Sequence, residues 1–500
     1  MLRLGRSVLM VVCLILLPLP SLANSAQEFP LPAALKADVR FWSRVYSEVS
    51  THEGLIHDNQ QLNIIYRRLS FSPGSSHKAR QAIIKKKKAY YEKILLDLAN
   101  KPHIRLSHRH KVVKALWPAG TTGASFRAAS KRLRFQLGQS NRFKQGLVRS
   151  GRWLPFIKQE FKRTGIPLEL ATLPHVESSF RSDVRSHAGA AGLWQFTRPT
   201  GRRFMRIDQV LDERLDPFLA TQAAALLLKD NHKITGTWPL ALTAYNHGAA
   251  GMRRAIEATG SRDIEKIVRQ YKGRTFGFAS RNFYNAFLAA KAIDEQPAQY
   301  FGEVKRDNPM HIQELELSSY YTVKGLVSAF GLKNNIFKSL NPALQPAIWS
   351  NNKYVPKGYR LRVPLDVAAG QAPRLMANIP ANEVAAKQKP DISYRVKRGD
   401  SLSEIAQRFN VRSRQLATIN GLTNRHSIRI GQVLILPSSA DHHINGQGGM
   451  SRKALFYQVK KGDRLSLIAR KAGVSEDDLL ALNKLKNRHY LYIGQRLRLR

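Results

Sequence analysis

Five hundred residues exceed what one core organises, so three or more folded units joined by linkers are expected. An apolar fraction of 43%, with no second membrane-length apolar run, excludes intrinsic disorder and a multi-span membrane protein. The net charge of +46 calls for a polyanionic partner or an acidic surface, or for basic residues spread over solvated faces, as the run Lys85 to Lys88 exemplifies.

The chain opens with Arg3 and Arg6, an apolar run from Val8 to Leu17, and Ser21-Leu22-Ala23 as a small-x-small site. That order predicts a secretory signal over residues 1–23, with an uncleaved anchor as the alternative. The single cysteine, Cys13, lies inside the apolar run and follows Val12, so it is expected to be an apolar filler and not a lipid attachment site. Export leads the chain away from nucleic acid. Its anionic targets are then expected in the periplasm or cell envelope, where peptidoglycan carries peptide and lactyl carboxylates and membranes carry phosphates.

Residues 24–150 read as a basic helical region, from the spacing of Val39, Phe41, Trp42, Val45 and Tyr46 and of Ile83, Tyr90, Ile94 and Leu95. They carry no chemical motif, and a structural role beside or ahead of the next domain is expected. Over residues 151–300 helical patterns continue, broken by Gly165-Ile166-Pro167 and Trp238-Pro239 and free of strand alternation. That segment is predicted to be all-α.

Within it stand four clusters: Pro174 to Phe180, with Glu177-Ser178; Ser186 to Phe196, with Gly189, Gly192, Leu193, Trp194 and Gln195; Ala244-Tyr245-Asn246-His247-Gly248; and Ser280-Arg281-Asn282-Phe283-Tyr284. Singly each is weak, since a Glu near a helix end is usually solvated, glycines mark turns, and Tyr or Trp are usually core. Together they can serve glycosidic cleavage. A proton must reach the leaving oxygen, and an apolar wall such as Leu193, Trp194 and Phe196 raises a carboxyl pKa enough to keep that proton near neutral pH. Glycosidases generally use two carboxylates. The other one nearby, Asp183, reads as a solvated turn or cap residue, and a single carboxylate suffices if the substrate's acetamido group stabilises the cation and its own C6 hydroxyl attacks. His175, His187 and His247 lack carboxylate or cysteine company at ligand spacing, so neither metal nor cofactor is expected.

The C-terminal part repeats itself. Tyr394, Val396, Gly399, Asp400, Ser401 and Leu402 recur without a gap as Tyr457, Val459, Gly462, Asp463, Arg464 and Leu465, and the register holds to Ile430-Gly431-Gln432 and Ile493-Gly494-Gln495. Each copy, residues 392–438 and 455–500, reads as a small α+β unit of βααβ order, and Ser401 with Glu404 forms a capping box in the first. Residues 366–391 and 439–454 read as flexible linkers. Residues 315–365, with Tyr321-x-Val323 and Leu361-Arg362-Val363-Pro364, read as a degenerate copy lacking the Gly-Asp turn.

The repeats resemble the LysM domain, a module that binds N-acetylglucosamine-containing glycans. That resemblance implies a sugar groove between Gly399 to Leu402 and Asn424 to Ile430, and between Gly462 to Leu465, Asp463 included, and Asn487 to Ile493. Arg464 stands where the family has Ser or Thr. The clusters over residues 151–295 resemble the soluble-lytic-transglycosylase (SLT) catalytic domain, which implies a lysozyme-like fold. With trailing LysM repeats the chain is similar to membrane-bound lytic murein transglycosylases of the D type. The resemblance implies Glu177 as acid and base on the β-1,4 bond between N-acetylmuramic acid and N-acetylglucosamine, leaving a 1,6-anhydro end. It also implies Ser186 steadying the sugar or the carboxylate, Gln195 and Asn246 hydrogen-bonding substrate, Tyr245 orienting Glu177, and Trp194, where the family often has Met, offering a flat face to a sugar. Ala279 stands where many relatives have a glutamate. A hydrolase on the same fold and a non-catalytic wall-binding scaffold are the alternatives, and the oligomeric state is left open.

Overall fold

The computed structural model describes residues 28–100, 106–186, 188–390, 392–422, 428–436, 456–459 and 463–499, apart from 473, 475, 484, 486–490 and 493. The expected signal segment, the 439–454 stretch, His187, Gly462 and most of both expected groove turns (424–427, 487–490 and 493) lie outside the described residues. Two compact units result: residues up to Arg206 with Glu213–Met310, and Ile207–Asp212 with His311–Arg500.

The first unit begins with α1 (Lys36–Ser47), whose buried stripe of Val39, Phe41, Trp42, Val45 and Tyr46 follows the helical period. The chain then departs from the helical expectation for residues 24–150. β1 (Glu53–Asp58) pairs antiparallel with β2 (Ile65–Ser70) and with the much later β3 (Leu133–Leu137). Asp58 turns the hairpin by accepting from the amides of Gln60 and Gln61. As the central strand, β1 is buried at five of its six positions, so it shows no alternation that a sequence scan can detect. Between β2 and β3 lies the long basic helix α2 (His77–Asn100), whose Ile84, Tyr91, Ile94 and Leu95 join a separate small core with β2 and Trp117.

From Ser140 onward this unit is helical: α3 (Ser140–Ser150), α4 (Leu154–Thr164), α5 (Leu173–Glu177), α6 (Pro217–Thr235), α7 (Trp238–His247) and α8 (Phe278–Glu295). Local signals set the ends of α6. Asp216 accepts from the amides of Phe218 and Leu219, Pro217 occupies the first turn, and Gly236 closes the helix in the left-handed region. α1 packs against α8, and their side chains merge with those of α3 to α7 into one apolar core running from Phe29 to Ile293. The N-terminal region therefore packs on the all-α part as one body: Tyr284 donates to the Pro30 carbonyl (2.7 Å), and Arg269 donates to the Ala34 carbonyl and pairs with Asp38 (2.8 Å).

The second unit contains three βααβ units. In the last two, strands Ile392–Arg395 and Val433–Leu436 pair antiparallel, as do Phe456–Gln458 and Arg496–Arg498, each enclosing two short helices over its own core. The Ser401–Glu404 capping box is formed, and Arg464 leaves its counterpart without one. The first unit has the same plan but starts earlier than its sequence pattern indicates. Its opening strand is Ile312–Glu316, paired with Arg360–Pro364, while Val323 begins a helix. The kinship lies in one asparagine. Asn341, Asn420 and Asn483 each donate to a carbonyl of the preceding helix and to the closing strand (Arg362, Ile435 and Arg498), whose amide returns a bond to the asparagine oxygen.

Of the expected linker 366–391, the described residues 366–390 are not a free tether. Helices Leu365–Ala368 and Ala372–Ala377 bury Ala368, Ala372 and Ile379 in the core of the first βααβ unit. Val384–Ala385 then pairs with Tyr320–Tyr321, Glu383 holds the Thr322 side chain and amide, and Gln388 bonds both main-chain groups of Tyr354. The alanines that resemble a linker composition are small contact residues.

Asn420→Ala is expected to leave main-chain groups of the closing strand unsatisfied and cost about 2–3 kcal/mol. Amide exchange should lose protection at Ile435 while Val459, in the other core, keeps it; equal loss at both would show that the repeats do not fold separately.

Candidate active site

Glu177 is the last residue of α5, a five-residue helix that Pro174 opens. The backbone then turns sharply, with Ser179 and Phe180 at φ 51° and 57°, values uncommon outside glycine. Neighbours hold this conformation. Phe180 is buried, Arg149 donates from Nε and Nη2 to the Ser179 carbonyl (3.1 and 2.7 Å), and Ser178 Oγ donates to the Leu193 carbonyl (2.7 Å). The segment carrying Glu177 is thereby bonded to the loop carrying Leu193 to Phe196.

Below it, His175 is buried, stacked on Phe143 (4.5 Å) and bonded through Nε2 to Asp294 (3.0 Å), which also pairs with Arg306 (3.0 Å). Burial pushes the His175 pKa down, so a neutral imidazole donates to Asp294. Burial alone would raise Asp294, but His175 and Arg306 hold it below the usual carboxylate range.

Glu177 itself is half-buried, and no hydrogen-bond donor among the described residues reaches its carboxyl group. Burial pushes its pKa up to about 8, so it is protonated at neutral pH. Two tyrosines lie close enough to feel its charge. Burial, and then Glu177, raise the phenol pKa of both Tyr245 and Tyr46. The Tyr245 hydroxyl donates to the Trp194 carbonyl (2.8 Å), so Tyr245 contributes a wall and not a bond to Glu177.

The loop from Arg181 to Phe196 depends on Gly192. At φ 80° a Cβ there would stand 1.7 Å from the Arg214 carbonyl oxygen. The Arg214 side chain, 1% exposed, donates to the carbonyls of Gly189 (2.8 Å) and Phe196 (2.9 Å) and so fixes both ends of the turn. Gln195, at φ 49°, donates to the Gly192 carbonyl (2.8 Å). Ser186 is exposed, and its Oγ accepts from the Ala190 amide (3.0 Å). Asn246 is exposed at the end of α7, and its oxygen accepts from Ser280 Oγ on α8 (2.9 Å), leaving its NH₂ for a substrate. Asp183 lies on the surface, paired with Arg181 (3.0 Å).

Several expected binding residues are something else. Trp194 is 0% exposed, packs on Phe161 and donates to Thr221 Oγ1 (2.9 Å), so it is core and offers no face to a sugar. In the repeats, Leu402 and Leu465 are also buried core residues. Asp400 is spent on the turn, accepting from the Tyr394 hydroxyl (2.7 Å), the Lys397 amide (2.7 Å) and Arg408 (3.1 Å), and Asp463 likewise accepts from Tyr457 (2.8 Å). Gly399, at φ 87°, and Ser401 remain at the surface of that turn. The sequence reading missed Tyr46, Arg149, Arg214 and Ser280. Ser280 stood in a recognised cluster and Tyr46 in a recognised stripe, but neither arginine carries a local signal.

Residues 155–268 match the transglycosylase SLT domain family, and residues 394–437 and 457–500 match the LysM domain family. The chain is 27% identical over 352 residues, 67% of its length, to the membrane-bound lytic murein transglycosylase D of Escherichia coli strain K12, of which 74% is covered. It is 38% identical over 106 residues to an N-acetylmuramoyl-L-alanine amidase, sle1, of Staphylococcus epidermidis, covering 21% of this chain and 32% of that one. Among solved structures, an inactive mutant of the lytic transglycosylase Slt from Pseudomonas aeruginosa aligns with a TM-score of 0.25 and 22% identity, over 31% of this chain and 25% of that chain.

The raised pKa of Glu177 links the site to stability. Below about pH 4.5 the carboxyl is protonated folded or unfolded; as pH rises to about 8 the unfolded chain ionises first and the fold loses stability. Glu177→Gln, neutral at every pH, is therefore expected to raise the melting temperature by an amount that grows from about pH 5 to about pH 8. A pH-independent difference in paired thermal scans would contradict the buried, protonated acid.

Proposed function

We propose that this chain, a transglycosylase SLT domain followed by two LysM domains, is a peptidoglycan lytic transglycosylase in which Glu177 serves first as general acid and then as general base. The observation that carries the mechanism is a carboxyl group packed beside Tyr245 and Tyr46, with no hydrogen-bond donor and no second carboxylate beside it among the described residues, since Asp183 is exposed and tied to Arg181; burial raises its pKa to about 8.

Glu177 gives its proton to the glycosidic oxygen, and the C1–O bond breaks to release the 4-hydroxyl of N-acetylglucosamine. The acetamido oxygen of the muramoyl residue bonds to C1 and carries the positive charge through its nitrogen. The Glu177 carboxylate, now buried and strongly basic, takes the proton of the same residue's C6 hydroxyl as O6 displaces the acetamido oxygen from C1. The 1,6-anhydro ring closes and Glu177 is again protonated. Inverting hydrolysis needs a second carboxylate on the opposite face to activate water, and none stands beside Glu177 among the described residues; on the substrate-assisted route the Glu177 base serves either O6 or a water, and the products distinguish the two. Tyr245 and Tyr46 wall the carboxyl, and Asn246, Gln195 and Ser186 are assigned to the substrate's polar groups.

Glycan retention is assigned to the two LysM repeats through the turns at Gly399-Ser401 and at Gly462. The first βααβ unit is given no share, because its own segment 383–389 covers the corresponding turn at Tyr320 to Thr322. An exported, wall-associated location fits the N-terminal signal pattern and the net charge of +46. No helix among the described residues is long and apolar enough to cross a membrane.

Digestion of purified sacculi is expected to give muropeptides one water lighter than hydrolysis products. Glu177→Gln should lower the rate by about 10²–10⁴-fold while sedimentation with sacculi is retained. Reducing ends carrying an added water would establish a hydrolase instead, and undiminished cleavage by Glu177→Gln would remove the assignment of the acid.

A further inference from the structure

Two buried aspartates of the first unit are paired with arginines, while two neighbouring arginines, the exposed Arg134 and the half-buried Arg281, are not. Asp38 is taken by Arg269 (2.8 Å), and Asp58 is taken by Arg132 (2.9 Å). Arg134 on β3 and Arg281 on α8 lie in the same neighbourhood, and neither side chain has a hydrogen bond or ion pair among the described residues. The Arg134 guanidinium sits over the Phe278 ring at 4.0 Å. Phe278 and Arg281 are three residues apart on α8, which places them on one helix face. Burial and then a neighbouring arginine depress the pKa of both, Arg281 acting on Arg134 and Arg269 on Arg281, while the Asp38 and Asp58 carboxylates partly offset this at Arg281. Two neighbouring guanidinium groups with no hydrogen bond of their own hold N–H donors that an incoming anion can take.

The same neighbourhood connects to the catalytic carboxyl through aromatic side chains. Phe278 is 6.2 Å from Trp42, Trp42 is 5.6 Å from Tyr46, and Tyr46 lies within electrostatic reach of Glu177. Trp42 keeps a buried Nε1 with no partner. On the next turn face, Ser280 holds Asn246. Glu177 and the arginine pair thus flank the same two buried side chains of the N-terminal helix, Tyr46 and Trp42.

We propose that Arg134 and Arg281 form a carboxylate-binding subsite, built jointly by the N-terminal sheet and helix α8, that receives the acidic groups of the glycan whose bond lies at Glu177. This rests on the peptidoglycan reading and adds to it a role for the region before residue 150: selection of acid-bearing strands. A guanidinium pair suits a carboxylate because each presents fixed N–H donors to its oxygens. The anion comes either from the stem peptide or from the lactyl group, and the two are separable chemically.

The test uses the full-length Glu177→Gln protein, so binding is read without turnover, and compares it with the same protein carrying Arg134→Ala, Arg281→Ala or Arg134→Lys. Titrations use short soluble strands of three kinds: peptide-bearing, peptide-stripped with a free lactyl carboxylate, and chitooligosaccharide with no carboxylate. Each alanine variant is expected to weaken binding of peptide-bearing strands by about 3–10-fold, with a smaller loss for Arg134→Lys, and to leave chitooligosaccharide binding unchanged. Loss on peptide-bearing strands alone assigns the stem peptide, loss on stripped strands alone assigns the lactyl carboxylate, which the stem peptide otherwise holds as an amide, and loss on both shows that the subsite takes either carboxylate. Equal loss on all three kinds, or no loss on any, overturns the subsite. The product analysis of the unsubstituted protein tests the transglycosylase reading separately, so failure of one is not mistaken for failure of the other.

Discussion

Glu177 is held toward its protonated form because its half-buried carboxyl group has no hydrogen-bond donor among the described residues and shares its surroundings with two tyrosines. The surrounding architecture maintains that condition. The strained turn at Ser179 and Phe180 ends the helix at the catalytic residue, and Arg149 and Ser178 tie that turn to its neighbours. His175, two residues upstream, anchors the same helix to Asp294, which Arg306 also holds.

The second wall of the site is the loop at Gly189 to Phe196, and it is built from the inside. Trp194 faces inward to Phe161 and Thr221, and what it gives the site is its carbonyl, which receives the Tyr245 hydroxyl. Arg214 performs the corresponding service for Gly189 and Phe196. The polar edge is set in the same way, since Ser280 fixes the amide orientation of Asn246 from a different helix. Most of the geometry therefore comes from residues that do not face a ligand.

The N-terminal region is part of this site. α1 lies along α8 and delivers Tyr46 and Trp42, while β3 delivers Arg134 over Phe278. In the second unit, one asparagine hinge is used three times, and in the first βααβ unit the chain folds back over its own turn.

What the residues alone determined was whatever depends on short spacing: the helical period of α1, the cap and glycine stop of α6, the offset repeats with the Ser401–Glu404 box, and a lone glutamate among apolar and glycine signals. Such features involve neighbours within a turn or two, and composition and period record them directly. Tertiary structure decided the rest. The sheet of β1, β2 and β3 was hidden because its central strand is buried on both faces and its third strand arrives some 75 residues later. Whether Trp194 faced sugar or core, whether residues 366–391 were a tether or a contact, and which arginines were paired all turn on partners distant in the chain. Burial and charge pairing are properties of where residues meet, and a linear pattern carries no record of those meetings.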